Sequence, residues 1–149
     1  MPQEFRCDCP VTSALDVLGD RWMLVIVKLM LLEGKKSFKE FSESDEHIAS
    51  NILSAKLKIL EEVGIISKNK LLNNKKANVY LLTEKGIALV PIIAELINWS
   101  DKHLRDIHPE IQEGEGMLLL RKSKADFVAY LETNYRKLLN ETTAQINPA

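Results

Sequence analysis

Three sets of side chains in this sequence could do chemistry, and they lie far apart along the chain. Near the N-terminus, Cys7 and Cys9 form a C-x-C pair. Two cysteines cannot complete a zinc site by themselves, and a structural disulfide does not persist in a reducing compartment. These thiols are therefore either inert or sensing, with Arg6 favouring a thiolate and Asp8 opposing it. In mid-chain, Ser50, Asn51, Ser54, Ala55 and Lys58 recur at spacings that a helix gathers on one side. Asn carries the donor and acceptor that pair with adenine, and Ser suits either base type. Farther on, Lys75 and Lys76 are adjacent, and long cationic side chains can reach phosphates. The plainer alternatives are a solvated helix face and a soluble turn. His47, His103 and His108 are scattered with no second ligand at metal spacing, so no metal and no cofactor is expected. No nucleophile with a base, paired carboxylates or phosphate loop stands at readable spacing, so no catalytic residue is assigned and no enzyme is expected.

The elements that must position these residues come next. A length of 149 residues with 46% apolar content suits one compact domain plus an appendage. No run of about 18 apolar residues occurs, so no membrane span is expected. The start, Met1 to Cys7, lacks the regions of a secretory signal, which makes a cytoplasmic location the default. The formal net charge of -1 announces no polyanionic partner. Its distribution says more: from Gly34 to Lys76 there are nine Lys against six acids, and six of those Lys lie in the second half against two Glu.

A first helix opens near Thr12 or Ser13 and stops at Gly19. Asp20 caps a second, Arg21 to Glu33, closed by Gly34 and apolar on almost every side, hence central. Phe38 to Ser42 is a short third helix with both Phe on one face, followed by a polar turn, Glu43 to His47. From Ala49 to Val63 a helical period puts Ile52, Leu53, Leu57, Ile59 and Leu60 on one stripe. Lys56 falls within that stripe and must carry its charge outward. Asn51, Ser54, Ala55 and Lys58 fall opposite, and acids (Glu61, Glu62) come only at the end. After Gly64 the period becomes alternating, with strands over Ile65 to Leu71 and Asn78 to Leu82 around the tip Asn73-Asn74-Lys75-Lys76. Thr83 then caps a long helix to about Arg105, kinked at Pro91. Its apolar positions Ile87, Val90, Ile93, Ala94, Ile97 and Trp99 exceed what one face needs, which indicates a partner surface. Beyond Ile107 the chain is irregular until a last amphipathic helix, Lys124 to Asn140, and a polar tail that frays.

Helix, helix, turn, helix, strand, basic hairpin, strand is the order of a winged helix-turn-helix, so the fold expected is mainly α with a small β-hairpin wing. Several runs also resemble the HxlR-type branch of winged-helix regulators. They are Cys9-Pro10-Val11, Leu15 to Gly19 with Trp22, Gly34, Phe38-Lys39-Glu40-Phe41, Ile48, Leu53 through Ile66, and Tyr80 through Gly86. The resemblance covers roughly the first two-thirds of the chain. It implies a dimeric, DNA-binding transcription regulator whose N-terminal helix and long helix after Thr83 contribute to the dimer. In some members a cysteine just before that Pro acts as a thiol sensor, which points to Cys9. The chain departs from the pattern at the wing, where Lys75-Lys76 replace two prolines, and at Ser37, where a basic residue is usual. It departs again at Ala49, where Ser commonly caps the recognition helix, so that Ser50 or the preceding turn must supply the cap.

The expectation is a DNA-binding domain with its dimerisation helix over 1–106 and a helical extension over 107–149. The partners expected are a double-stranded operator, an inverted repeat, and a second copy of the chain; no membrane partner is expected, and any small effector is unnamed. The alternative is a winged helix that binds protein instead of DNA, against which the polar helix face and basic hairpin speak.

Overall fold

The structure, a computed structural model, describes residues 4–146. Eight helices and a two-stranded antiparallel sheet follow one another among the described residues. They are α1 (Pro10–Leu18), α2 (Arg21–Glu33), α3 (Phe38–Ser42), α4 (Ser50–Glu62), β1 (Ile66–Lys70), β2 (Asn78–Leu82), α5 (Glu84–Ile87), α6 (Val90–His103), α7 (Glu115–Lys122) and α8 (Lys124–Thr143).

α2 is the central helix, as its all-round apolar surface requires. Met23, Ile26, Val27, Leu29 and Met30 are buried. Asp20 caps it by accepting from the Trp22 amide at 2.7 Å. Gly34 ends it in a left-handed conformation, φ 65°, where a side chain would be strained. Leu138 of α8 packs so close that a Cβ at Gly34 would lie 3.1 Å from its Cδ1.

Several boundaries differ from expectation. α1 begins at Pro10, earlier than Thr12, because Pro at the first helical position needs no N–H partner. In α3 only Phe41 is buried, against Tyr80 at 6.2 Å between ring centroids, whereas Phe38 opens onto a groove. β1 is shorter than Ile65 to Leu71: the Ile65 carbonyl accepts from the Thr83 amide, and Leu71 leaves the hairpin to bridge Ile146. The long helix after Thr83 is two helices. Thr83 caps α5 by accepting from Gly86 N at 3.3 Å, the chain turns at Ala88 and Leu89, and Pro91 sits in the first turn of α6. A proline there starts a helix instead of kinking one.

The C-terminal segment holds more structure than its composition suggested. Residues 115–122, read as irregular, form α7, and α8 runs three residues past Asn140. The polar tail is not frayed at its start, since Thr142 is buried and Ile146 pairs with Leu71. Leu120, Phe127, Leu131 and Tyr135 join the same core as Ile26, Leu57, Leu82 and Ile93. Among the described residues, no helix is long and apolar enough to cross a membrane.

Candidate nucleic-acid interface

α4 exists because its apolar phase fits the core: Leu53, Leu57 and Leu60 are buried, spaced so that one side faces α2. The opposite side is left to solvent. Ser50, Asn51, Ser54, Ala55 and Lys58 are all exposed, as the helical phase required. Neither side-chain cap foreseen for this helix forms. Ala49 is the N-cap, and Ser50 is the first helical residue, with no side-chain hydrogen bond closing the end. The first amides of α4 therefore stay available at the surface, beside the hydroxyl and amide side chains.

Two ion pairs fix the helix on its scaffold. Lys56, within the apolar stripe, does not simply reach for water. Its Nζ lies 2.8 Å from Asp20 Oδ2, so the α2 cap and the middle of α4 share a contact. The Lys56 ammonium lies beside Asp20, and the hydrogen bond between them holds that carboxyl below its usual range. Lys28 of α2 pairs with Glu46 in the turn ahead of α4. Burial pushes the Glu46 carboxyl up, and the Lys28 ammonium more than offsets this, leaving it below the usual range. In the same turn His47 adopts φ 53°, a left-handed kink that aims the chain into α4.

The hairpin stands beside this face. Its register pairs Ile66 with Leu82, Lys68 with Tyr80 and Lys70 with Asn78. A groove of about 300 Å³ separates it from the helices, lined by Phe38, Ser54, Leu57, Lys58, Glu61, Lys68 and Tyr80. Lys75 and Lys76 are exposed in the turn at the hairpin tip. Lys68, absent from the residues singled out in the sequence, lines the groove with Ser54 and Lys58, and Lys70 is exposed two residues along the same strand face. The signal was present in the alternation Ile66, Lys68, Lys70, which places both lysines on the side of the strand that carries Ile66.

Cys7 and Cys9 are exposed free thiols. Cys9 is the N-cap of α1, where backbone donors converge. The Thr12 amide, the Thr12 hydroxyl and the Val11 amide hold its thiol below the ordinary value. Arg6 is not among the groups that act on Cys9: its guanidinium pairs with Asp16 at 3.1 Å, and its own amide donates to the same carboxylate. The helix end replaces the charge that the sequence reading had assigned to Arg6. Among the described residues no group of three or more His, Cys, Asp or Glu is placed to hold a metal.

The sequence model of the HxlR-like helix-turn-helix family matches residues 17–108, from α1 to just past α6. The chain belongs to the HxlR-like helix-turn-helix family. Its helix-turn-helix is α3 and α4, and its wing is the β1–β2 hairpin. The chain is 37% identical over 95 residues to the HTH-type transcriptional regulator YodB of Bacillus subtilis (strain 168), which spans 63% of this chain and 84% of that protein. The reduced form of YodB superposes with a TM-score of 0.53 at 35% identity, covering 65% of this chain and 95% of that one. Quinone-bound and diamide-treated forms of YodB match at TM-scores of 0.51 and 0.50. The redox regulator HypR in its reduced form gives 0.57 at 32% identity, over 69% of this chain and all of that one. A putative transcription factor, PA1607, gives 0.60 at 36% identity, over 66% of this chain and 67% of that one. This chain is an HxlR-type transcriptional regulator with a helix-turn-helix for DNA; α7 and α8 lie outside the family match.

Proposed function

We propose that this regulator reads its operator with the exposed face of α4 and holds it with the wing. The observation that carries the reading is one surface bearing Ser50, Asn51, Ser54, Ala55 and Lys58 in a helix-turn-helix. That surface is uncharged near its start and adjoins a groove whose lining includes Lys58, Glu61 and Lys68, while Lys75 and Lys76 are exposed at the tip of the hairpin. Asn51 and Ser54 address base edges, Ala55 allows close approach, and Lys58 follows farther along. Lys68, Lys75 and Lys76 take phosphates without reading sequence. The groove binds DNA and has no catalytic role.

The working unit is a homodimer. Val11 and Leu15 of α1 and Ile92, Leu96 and Trp99 of α6 are exposed, Trp99 at 56%. An apolar surface of this kind on a small domain marks a partner. Of the positions that had suggested a partner by number, Ile87, Val90, Ile93 and Ala94 are buried and Ile97 is half-buried within this chain, whereas Trp99 is exposed in an outward row with Ile92 and Leu96. Two copies related by a twofold axis present their α4 helices to successive major grooves about 34–36 Å apart, hence to an inverted repeat.

Cys9 is the point where oxidation or an electrophile enters. Its donor-stabilised, exposed thiol supports this, as do the quinone-bound and diamide-treated forms of YodB and the oxidised and reduced forms of HypR. Cys7 and Cys9 are too near in sequence to bridge without strain, so the oxidised product is an intersubunit or mixed disulfide. A gel-shift screen of fragments from the source genome tests the reading. It is expected to retain a few fragments carrying an inverted repeat, and retention of none, or of all alike, contradicts it.

A further inference from the structure

The wing of this protein is only two strands, and an isolated hairpin of that size is marginal in water. Its attitude relative to α4 must therefore be set from outside. β2 has one edge paired with β1, and its other edge offers backbone donors that need partners. The Tyr80 amide donates to the Lys36 carbonyl at 2.7 Å, a contact within the family-matched region. The next outward amide, Leu82, donates to the Tyr135 hydroxyl of α8 at 2.7 Å, a buried bond between residues 53 apart in sequence. At the far end of β1 the end of the chain takes over. Leu72 N donates to the Gln145 carbonyl at 2.8 Å, and Leu71 forms an antiparallel bridge with Ile146. Arg136 holds Glu84, just after β2, through two bonds of 2.7 and 2.9 Å. Val79 and Leu81, on the face of the hairpin that does not carry Tyr80, are buried.

We propose that the C-terminal extension, acting through Tyr135 and the Gln145–Ile146 segment, is a brace that positions the wing for DNA. It grips the wing at two points, at Leu82 of β2 near the base and at Leu71 and Leu72 just past β1, and both grips come from residues beyond 108, where the family match ends. Tyr135 is a positioning residue that touches no DNA. The lysines at the tip act at full strength only while the hairpin is held at both points. This rests on the reading that Lys75 and Lys76 contact phosphate, and the test separates the two.

The chain ended after Ala144 and the variant Tyr135→Phe are compared with wild type, each with and without Lys75→Ala/Lys76→Ala. Operator affinity is measured against salt, and hydrogen exchange of residues 66–82 is measured on free protein. With the brace impaired, hairpin amides, Leu72 and Leu82 first, are expected to exchange faster while α2 and α4 do not. The salt slope is expected to fall by about one unit per disengaged lysine. Adding the lysine substitutions to a brace variant should then change little. Should the chain ended after Ala144 fail to fold, Tyr135→Phe carries the test. Unchanged hairpin exchange in a folded variant overturns the brace, and so does a lysine effect that adds in full. If the lysine pair is silent even in wild type, the wing reading fails, and the exchange data alone decide whether the hairpin is braced.

Discussion

Individual side chains show where the sequence speaks and where it does not. The five exposed positions of α4 follow from a helical phase and nothing more, so Ser50, Asn51, Ser54, Ala55 and Lys58 were legible before any coordinates. The partner of Lys56 was not. Its charge had to leave the apolar stripe, but only the fold brings it to Asp20, 36 positions earlier. The thiol of Cys9 makes the same point. Its neighbours in sequence are Asp8 and Pro10, yet the groups that act on it are the Thr12 amide, the Thr12 hydroxyl and the Val11 amide, gathered by the start of α1. A lowered thiol pKa means more thiolate at any pH below the ordinary value. Alkylation of the Cys7→Ser protein should therefore rise with pH to a midpoint below that of a free thiol. Thr12→Val, which removes the hydroxyl and keeps the amide, should move the midpoint part of the way back. A midpoint at the free-thiol value, unmoved by Thr12→Val, would show that the helix end does not act on Cys9.

At the level of elements, periodicity located α2, α3 and β2 to the residue, because caps and strand alternation are local. It merged α5 with α6, because Pro91 reads alike as a kink within a helix or the start of one; packing of Val90 and Ile93 in the core decides. α7 was hidden by Gly114 at its N-cap and Gly116 in its first turn despite its Met117–Leu120 run, since eight residues leave few turns to show a period. Gly86 carries the sharpest test of this level. It lies in α5, where Ala would normally be favoured by about 1 kcal/mol. Here a Cβ would meet the Ile65 carbonyl oxygen at 2.3 Å and Leu82 Cδ2 at 2.8 Å. The clash is with backbone at the root of the wing and cannot move aside cheaply. Gly86→Ala is thus expected to destabilise by about 1–3 kcal/mol in urea unfolding. A gain in stability would mean that α5 does not pack on Ile65 and Leu82 so closely.

Over the whole molecule, a net charge of -1 conceals a basic wing and a nearly neutral exposed face of α4 on an acidic remainder. Composition averages over the chain, whereas folding sorts charge by surface, which is why the total said nothing of DNA. The proposed dimer belongs to this scale too. Leu96→Asp places a charge amid the exposed row of α6 without touching the core. It should yield a monomer by light scattering, with operator affinity reduced by about 10²-fold or more as the two half-sites uncouple. A Leu96→Asp protein that stays dimeric would move the interface elsewhere.

The most direct test of DNA recognition by α4 is operator affinity of the folded Asn51→Ala/Lys58→Ala protein, by fluorescence anisotropy against specific and scrambled duplexes. The expected result is a loss of about 1–3 kcal/mol for each base contact removed on the operator, with little change on the scrambled duplex. Unchanged operator affinity, with circular dichroism and melting like wild type, would contradict the account and leave α4 as a solvated face.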